Sequence, residues 1–195
     1  MHRFQPADYR TFLRLWASSP KMVGAIAPSG KMLATLITSE IGEHSGPLIE
    51  LGAGTGVFTR ALIDRGVREE DLTLIEFNKD FAEMLRSRFP RANVLEIDAS
   101  KMLHCAVFEK ASYGAVISGL PLLNFPLHRN IVILKNAFEL LRPGAAYYQF
   151  TYGLKCPVPR RVLDRLGLRA RKIGTALLNI PPASVYRINT RRLRR

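Results

Sequence analysis

One short segment, in which an apolar run ends in three glycines, constrains the fold of this chain most. Its sequence is Leu48-Ile49-Glu50-Leu51-Gly52-Ala53-Gly54-Thr55-Gly56. A short apolar run is typical of a buried strand, and glycines let the backbone turn sharply and approach a ligand with no Cβ between them. The segment therefore predicts a strand, a glycine loop and a helix, as at the start of a parallel α/β sheet.

From residue 47 onward, short apolar runs alternate with amphipathic ones, which is typical of a mostly parallel sheet covered by helices. Strands are predicted at Pro47–Leu51, Leu72–Phe77, Asn93–Ile97, Ala115–Ser118 and Ala145–Thr151. Helices are predicted over Val57–Arg65, Asp80–Phe89 and Arg129–Leu141, and Arg142-Pro143-Gly144 ends the last of them. Two more strands, Arg169–Leu178 and Ser184–Thr190, follow with no helix between them. The sequence predicts an α/β fold with a doubly wound, mostly parallel sheet and a C-terminal antiparallel hairpin.

The spacing of the glycines favours one kind of ligand over another. The dinucleotide fingerprint has a glycine at its sixth position, where this chain has Val57. That glycine serves the close approach of a pyrophosphate to the helix, and S-adenosylmethionine carries no pyrophosphate. The loop therefore favours S-adenosylmethionine over a dinucleotide.

Three successive strands end at or next to a carboxylate: Glu50, Glu76 and Asp98. A carboxylate after the second strand can accept hydrogen bonds from both hydroxyls of a ribose. Asp98 falls where the adenine amino group would lie. We therefore predict that S-adenosylmethionine binds here and leaves as S-adenosylhomocysteine. The residues predicted to bind it are Glu50, Gly52, Ala53, Gly54, Gly56, Glu76, Phe77, Asp98, Ala99 and Ser118.

Charge indicates an anionic partner without choosing between nucleic acid and lipid. The chain has 29 Lys and Arg against 16 Asp and Glu, a formal net charge of +13. Two isolated cysteines and four scattered histidines predict no metal site and a reducing compartment. The N-terminus lacks the apolar region of a signal peptide, and the longest uncharged run, residues 111–127, is too short and too broken to span a membrane. We therefore expect a soluble or peripheral protein.

The first 46 residues differ from the rest of the chain. Tyr9, Phe12, Leu13, Trp16 and Ala17 fall on one face of a predicted helix, and two arginines fall on the other face. A second helix is predicted at roughly Gly30–Ile41. The first helix can cover the cofactor, pack against the domain, or lie on a membrane. Residues 1–46 are therefore predicted as an N-terminal segment for membrane association or cofactor closure, and residues 47–195 as the main domain.

Several stretches resemble one known family. They are Lys21–Lys31, Glu50–Gly56, Leu74–Asn78, Ser118–Leu123, Gln149–Gly153 and Asn179–Ala183. Together they are similar to the bacterial phospholipid N-methyltransferases of the rhizobial and Rhodobacter-like type. The resemblance implies a class I methyltransferase fold for residues 47–195, and S-adenosylmethionine-dependent methylation of phosphatidylethanolamine and its methylated intermediates toward phosphatidylcholine. It also implies a monomer on the inner, cytoplasmic face of an anionic membrane.

The rRNA adenine dimethyltransferases are the alternative. They are similar in the glycine and acidic motifs but carry Asn-Leu-Pro-Tyr or Asn-Ile-Pro-Tyr after the fourth strand, where an aromatic ring stacks on the base. This chain has Ser118-Gly119-Leu120-Pro121-Leu122. Because stacking on an aromatic ring is a main source of recognition for a flipped base, we expect no nucleic-acid partner. A third hypothesis is a binding module that keeps the fold without catalysis.

The predicted catalytic residues lie after the fourth and fifth strands. Methyl transfer mainly requires that the nucleophile be aimed at the methyl group. Backbone carbonyls of the loop formed by Ser118, Gly119, Leu120 and Pro121 are predicted to accept hydrogen bonds from the amine. Tyr152 is predicted to line the headgroup site, because aromatic faces attract quaternary ammonium ions. No general base is evident.

Overall fold

The computed structural model of the chain describes residues 30–177, 179 and 181–191. The first predicted amphipathic helix and residues 192–195 lie outside this range. Within the described residues, seven strands form one sheet, and each of the seven predicted strands is present. The largest difference is at the fifth, which begins at Leu141 instead of Ala145. The strands are β1 Leu48–Leu51, β2 Leu72–Glu76, β3 Asn93–Glu96, β4 Tyr113–Ser118, β5 Leu141–Tyr152, β6 Leu168–Ala176 and β7 Ala183–Thr190.

The strands lie in the order β3-β2-β1-β4-β5-β7-β6. Strands β1 to β5 are parallel, whereas β7 is antiparallel to both β5 and β6. The predicted doubly wound, mostly parallel sheet with a C-terminal antiparallel hairpin is therefore confirmed. We call the edge at which β1 to β5 end the carboxyl edge. The strand order reverses between β1 and β4, and doubly wound sheets bind ligands outside the carboxyl ends at such a point.

The helices begin and end close to their predicted limits. They are α1 residues 30–37, α2 Val57–Ile63, α3 Lys79–Arg88, α4 Leu127–Leu140 and α5 Arg160–Arg165. The predicted Gly30–Ile41 helix ends early, in a turn over residues 38–40. Helix α5 was not predicted, nor were the 3₁₀ helices Glu43–Ser45, Glu69–Asp71, Ala99–His104 and Leu122–Asn124.

Two hydrophobic cores cover the two faces of the sheet. Successive residues of a strand point to opposite faces, and every residue of β1 is buried. Leu48 packs with side chains from α1, α2 and α3, whereas Ile49 and Leu51 pack with side chains from α4 and the helix Ala99–His104. Burial on both faces explains why β1 is a continuous apolar run interrupted only by Glu50.

The described part of residues 1–46 is packed into the main body. Leu33, Ile37 and Ile41 belong to one of the two cores. The carboxylate of Glu40 accepts hydrogen bonds from Arg171 of β6 at 2.6 Å and from Arg187 of β7 at 2.9 Å. Residues 30–46 are thus joined to the terminal hairpin, and a separate N-terminal segment ending at residue 46 stays a prediction.

The search for membrane-spanning segments covered the residues that the structure describes. Within them, no helix combines the length and the apolar character needed to cross a bilayer.

Candidate functional site

The glycine loop between β1 and α2 has a backbone that only glycine adopts readily. Gly52, Gly54 and Gly56 have φ angles of 68°, 53° and 77°. A Cβ on Gly52 would come within 2.8 Å of the Leu120 side chain, and one on Gly56 would overlap the ring of Phe89. The loop is therefore held close to both the loop after β4 and the end of α3. Ala53, between the glycines, is buried.

Glu50 lies beneath the glycine loop and is 1% exposed. Its Oε2 accepts a hydrogen bond from the Thr59 hydroxyl of α2 at 2.6 Å. Its Oε1 is buried and has no hydrogen-bond partner among the described residues. Burial raises the pKa of Glu50 to about 8, because the low-dielectric interior disfavours the charged form.

Glu76 joins the glycine loop to the start of α3. One carboxylate oxygen accepts from the backbone N–H of Gly54 at 2.8 Å, and the other accepts from that of Asn78 at 2.8 Å. Asn78 then caps α3 by accepting from the N–H of Phe81. Each carboxylate oxygen keeps a second lone pair, so Glu76 can still accept hydrogen bonds from a ribose.

Asp98 is paired with an arginine that the sequence analysis did not single out. Its Oδ1 accepts from the N–H and hydroxyl of Ser100, and its Oδ2 accepts from Arg129 of α4 at 3.0 Å. Burial alone would raise the pKa of Asp98, but the Ser100 hydrogen bonds and the Arg129 charge outweigh it and hold that pKa below its usual range. The Arg129 guanidinium lies over the ring of Phe125, 4.3 Å from its centre.

A cleft at the carboxyl edge brings several of these residues together. It lies between β1, β2, β3 and the loop after β4. Six predicted site residues line it, whereas Glu50, Ala53, Gly54, Gly56, Ser118, Gly119 and Pro121 do not. Its lining is Gly52, Ile75, Glu76, Phe77, Ile97, Asp98, Ala99, Leu120, Phe125, Arg129 and Ile133.

The loop after β4 packs against the glycine loop. The N–H of Gly119 donates to the carbonyl of Leu51 at 2.8 Å, and a Cβ on Gly119 would lie 2.7 Å from the carbonyl oxygen of Gly52. Only glycine fits there without moving one of the two loops. Ser118 is completely buried, and its hydroxyl accepts from the N–H of Leu120.

Two buried amides hold the loop after β4 in place. Gln149 of β5, which is completely buried, donates from Nε2 to the carbonyl of Leu120 at 2.9 Å. Asn130 of α4 donates to the carbonyl of Leu122 at 2.8 Å. The Leu120 carbonyl also accepts from the N–H of Leu122, so both of its lone pairs are occupied.

Tyr152 lies at the end of β5, outside the cleft lining. Its ring meets that of Phe150 edge-on at 5.5 Å, and Phe150 meets Phe58 of α2 in the same way at 5.9 Å. The side chain is 46% exposed at the carboxyl edge. Its predicted headgroup role stays a prediction.

Sequence reasoning missed Arg129 and Gln149 for different reasons. Arg129 lies 31 residues from Asp98, and a single arginine at the start of a helix gives no pairing signal. Gln149 stood in a stretch that carried the family resemblance, but a glutamine in an apolar strand does not reveal which carbonyl it holds. The signal available was a buried strand position filled by a polar residue.

These features suit S-adenosylmethionine. The glycine loop leaves no Cβ in the way, and the unpartnered Glu50 Oε1 lies beneath it for a donor such as the cofactor's ammonium group. Glu76 faces the cleft with accepting capacity for the ribose, and Phe77 and Ala99 supply apolar surface for an adenine.

Comparisons with known proteins agree with this assignment. A family model described as a methyltransferase domain matches residues 48–144. The chain is 31% identical over 151 residues to an ornithine lipid N-methyltransferase of Singulisphaera acidiphila, covering 74% of this chain and 78% of that protein. It is 39% identical over 70 residues to ribosomal RNA small subunit methyltransferase A of Anaeromyxobacter dehalogenans, covering 35% of this chain and 23% of that protein.

The fold is also found among solved structures. A TehB-like S-adenosylmethionine-dependent methyltransferase of Corynebacterium glutamicum has a TM-score of 0.66 at 14% identity, covering 96% of this chain and all of that one. Such low identity supports the fold alone. This fold, the match to the methyltransferase family model and the similarity to the ornithine lipid N-methyltransferase together mean that the chain belongs to the class I S-adenosylmethionine-dependent methyltransferases.

Proposed function

We propose that the protein methylates the amine nitrogen of a membrane lipid, with phosphatidylethanolamine and its methylated intermediates as substrates on the way to phosphatidylcholine. The observation that carries the lipid assignment is the similarity, over most of both chains, to an enzyme named for an N-methylated amino lipid. The net charge of +13 supports work at an anionic membrane surface, which we place on the cytoplasmic side.

The chain's own residues mainly position the reactants. Bound S-adenosylmethionine supplies a methyl group on a sulfonium, which an amine lone pair attacks in line. Glu76 fixes the glycine loop, and Gln149 and Asn130 fix the loop after β4. Holding two reactants in line replaces a chance encounter and is worth several orders of magnitude in rate.

The loop after β4 has to accept an amine that has lost its proton. Residues 118–123 carry no ionisable side chain, so the proton leaves to water before the amine is aligned. The Leu120 carbonyl is occupied twice and that of Pro121 accepts from Asn124. We assign the Gly119 carbonyl as the group that accepts from the amine and aims its lone pair.

Tyr152 suits the later steps of the reaction. Each methylation removes one N–H donor, and the last product is a quaternary ammonium that is permanently charged and donates no hydrogen bond. A tyrosine ring at the carboxyl edge attracts such a cation through its face. Burial raises the pKa of the Tyr152 hydroxyl, so the residue stays neutral at physiological pH.

The buried state of Leu122 argues against RNA as the substrate. In the rRNA adenine dimethyltransferases the aromatic residue of the motif stacks on the target base, and in this chain the corresponding residue is Leu122. Leu122 is 1% exposed, beneath the loop, so it presents no surface to a base. RNA methylation remains the second candidate because of the match over 70 residues to a ribosomal RNA methyltransferase.

The test offers methyl-labelled S-adenosylmethionine with three acceptors: vesicles containing phosphatidylethanolamine, vesicles containing ornithine lipid, and rRNA. We expect label in phosphatidylethanolamine. Label in ornithine lipid alone would correct the substrate, and label in RNA alone would overturn the lipid assignment. Glu76→Ala is the control for contaminating activity, since it should lose label in every arm while the folded protein remains.

A further inference from the structure

The large apolar side chains that the structure leaves exposed are unevenly placed. The described residues include eight exposed large apolar side chains. Six of them lie in segments at or beside the carboxyl edge, and the other two, Val107 and Val132, lie elsewhere. The six are Val57, Phe77, Leu123, Tyr152, Leu154 and Leu177. Phe77 belongs to the cofactor cleft. We call Leu123, Leu154 and Leu177 the apolar rim.

The three leucines of the apolar rim lie at one end of a group of four neighbouring strands, β4-β5-β7-β6. Leu123 follows β4, Leu154 follows β5 and Leu177 follows β6, while β7 begins between the last two. Tyr152 and Ala176 both pair with Ala183, so the chain on either side of β7 leaves the sheet at the same level. Four strands at about 4.8 Å spacing put the rim along roughly 15 Å of this edge.

The side chains of the rim are unusually exposed for leucines. Leu123 is 63% exposed, Leu154 67% and Leu177 71%. Scattered exposed leucines need no explanation, but a row of them beside a binding site marks an interaction surface.

Charge along the two edges of the sheet identifies what the rim contacts. The segments that carry the rim, residues 119–126, 153–159 and 177–182, contain no Asp or Glu, and the second includes Lys155. At the opposite edge, the acidic run 69–71 is mixed with cations, because Arg68 pairs with Asp71 and Arg91 pairs with Glu69 and Glu70. An anionic surface therefore meets only positive charge in the rim segments, whereas the opposite edge offers both signs.

We propose that the apolar rim inserts into the lipid bilayer, so that the membrane itself covers the carboxyl edge at the acceptor side of the site. This inference rests on the proposed function. Apolar side chains penetrate the acyl boundary, while Lys155 remains at the headgroups. The headgroup amine then reaches the Gly119 loop and Tyr152 without the lipid leaving the membrane.

A tryptophan scan tests the contact directly. Trp16 is the single tryptophan of the chain, so Trp16→Phe gives a background without one. Leu154→Trp and Leu177→Trp place a reporter on the rim, and Val107→Trp, at a site 55% exposed in the connection before β4, is the matched control. Fluorescence is measured with phosphatidylcholine–phosphatidylglycerol vesicles whose acyl chains are brominated, without phosphatidylethanolamine or S-adenosylmethionine.

We expect bromolipid to quench the reporters at 154 and 177 several-fold more than the reporter at 107. Equal quenching at the three positions, or none at 154 and 177 while the protein is vesicle-bound, would overturn the proposal. Because no reaction is measured, rim quenching without lipid methylation would refute the proposed function alone, and methylation without rim quenching would refute this inference alone.

A charge substitution gives a second measurement. Leu154→Asp with Leu177→Asp should weaken binding to the same vesicles by at least about a hundredfold, whereas Val107→Asp should bind as the wild type does. If the double variant instead dissociates a dimer in sedimentation velocity and binds vesicles unchanged, the rim is an interface between copies and the proposal is wrong.

Discussion

At the scale of single residues, Glu50 combines full burial with one hydrogen-bond donor. Its raised pKa of about 8 against an ordinary 4.5 means that the folded protein holds a proton that the unfolded chain releases. The associated stability is complete below about pH 4.5 and is lost as pH rises through about 8. Ionisation of Glu50 thus opposes folding by a few kcal/mol at alkaline pH.

We expect Glu50→Gln to remove this pH dependence. The amide is isosteric with the protonated acid and never ionises, so the variant should unfold at urea concentrations similar to those of the wild type at about pH 4.5 and be more stable than the wild type at about pH 8.5. Urea titrations at both values measure the difference. Loss of stability in the variant at alkaline pH would mean that the native carboxylate is charged and paired.

The contact between Gly119 and Gly52 permits a second test at this scale. A methyl group on Gly119 meets a backbone oxygen at 2.7 Å, which neither loop can avoid by rotating a side chain. We expect Gly119→Ala to lower the free energy of unfolding by about 1–3 kcal/mol and to weaken S-adenosylmethionine binding. Gly42→Ala, with no atom within 4 Å of the added Cβ, is the matched control and should stay within about 0.5 kcal/mol.

Calorimetric titration of the cofactor and urea unfolding measure the two effects separately. If Gly119→Ala binds the cofactor as tightly as the wild type does, the two loops can separate without changing the cleft. That result would contradict the assignment of the Gly52–Gly119 contact to the site.

At the scale of elements, β5 acts on the loop after β4 through a side chain. Gln149 donates to the Leu120 carbonyl and to its neighbour Phe150, and its Oε1 accepts from the hydroxyl of Tyr147 at 3.4 Å. Burial raises the pKa of Tyr147, which keeps that donor protonated. We propose that Gln149 is a positioning residue: it fixes the Leu120–Pro121 peptide, which is next in the chain to the Gly119 carbonyl assigned to the amine.

We expect Gln149→Met to reduce kcat on the order of tenfold to a hundredfold with little change in cofactor affinity, because the loop that aims the amine is released while the cleft stays intact. Asn136→Leu is the comparison, since Asn136 of α4 is also buried and donates to the Ser100 carbonyl beside Asp98. Asn136→Leu should weaken cofactor binding while changing kcat little when the cofactor is saturating. If the two variants change kcat and cofactor affinity to the same extent, Gln149 has only a structural role.

The sequence predicted the elements better than the contacts between them. Apolar runs identified every strand, and the hairpin of β6 and β7 followed from the lack of a helix between its two runs. Helix α5 was missed because its six residues, Arg160–Arg165, are too few to establish a helical period. Strand β5 begins at Leu141, before the Pro143-Gly144 stop, because Leu141 pairs with Tyr113 across a bulge.

For the candidate site too, the sequence predicted residues better than the contacts between them. Gly52, Glu76 and Asp98 were found because strand ends converge at one edge, a consequence of topology that a single sequence reveals. Arg129 and Gln149 act across 31 and 29 residues, and only packing decides which carboxylate or carbonyl each one meets.

At the scale of the whole molecule, the carboxyl edge divides into two parts on either side of the switch point between β1 and β4. On one side, the ends of β2 and β3 carry the acids of the cofactor cleft. On the other, the ends of β4, β5 and β6 carry the loop proposed to bind the amine, Tyr152 and the apolar rim. Under the proposed function and the proposed membrane contact, the cofactor enters from water and the lipid from the membrane, and the two meet at the Gly52–Gly119 contact.

This division predicts two separable contributions to vesicle binding. The attraction of Lys and Arg to anionic lipid, about 1 kcal/mol for each residue at the surface, is screened as the Debye length falls from about 8 Å at physiological salt to about 3 Å at 1 M. Burial of a leucine, worth about 1.5–3 kcal/mol, is not screened. Wild-type binding to phosphatidylglycerol vesicles should therefore fall with salt to a residual level.

Two variants should separate the contributions in cosedimentation across a salt series. Leu154→Asp with Leu177→Asp should lower the residual binding at about 1 M salt, where charge no longer acts. Lys155→Gln should lower binding at low salt and leave the residual level unchanged, because the exposed Lys155 side chain beside the rim contributes charge. If the lysine variant loses the residual binding and the leucine variant keeps it, the charge beside the rim and not its apolar side chains contacts the membrane.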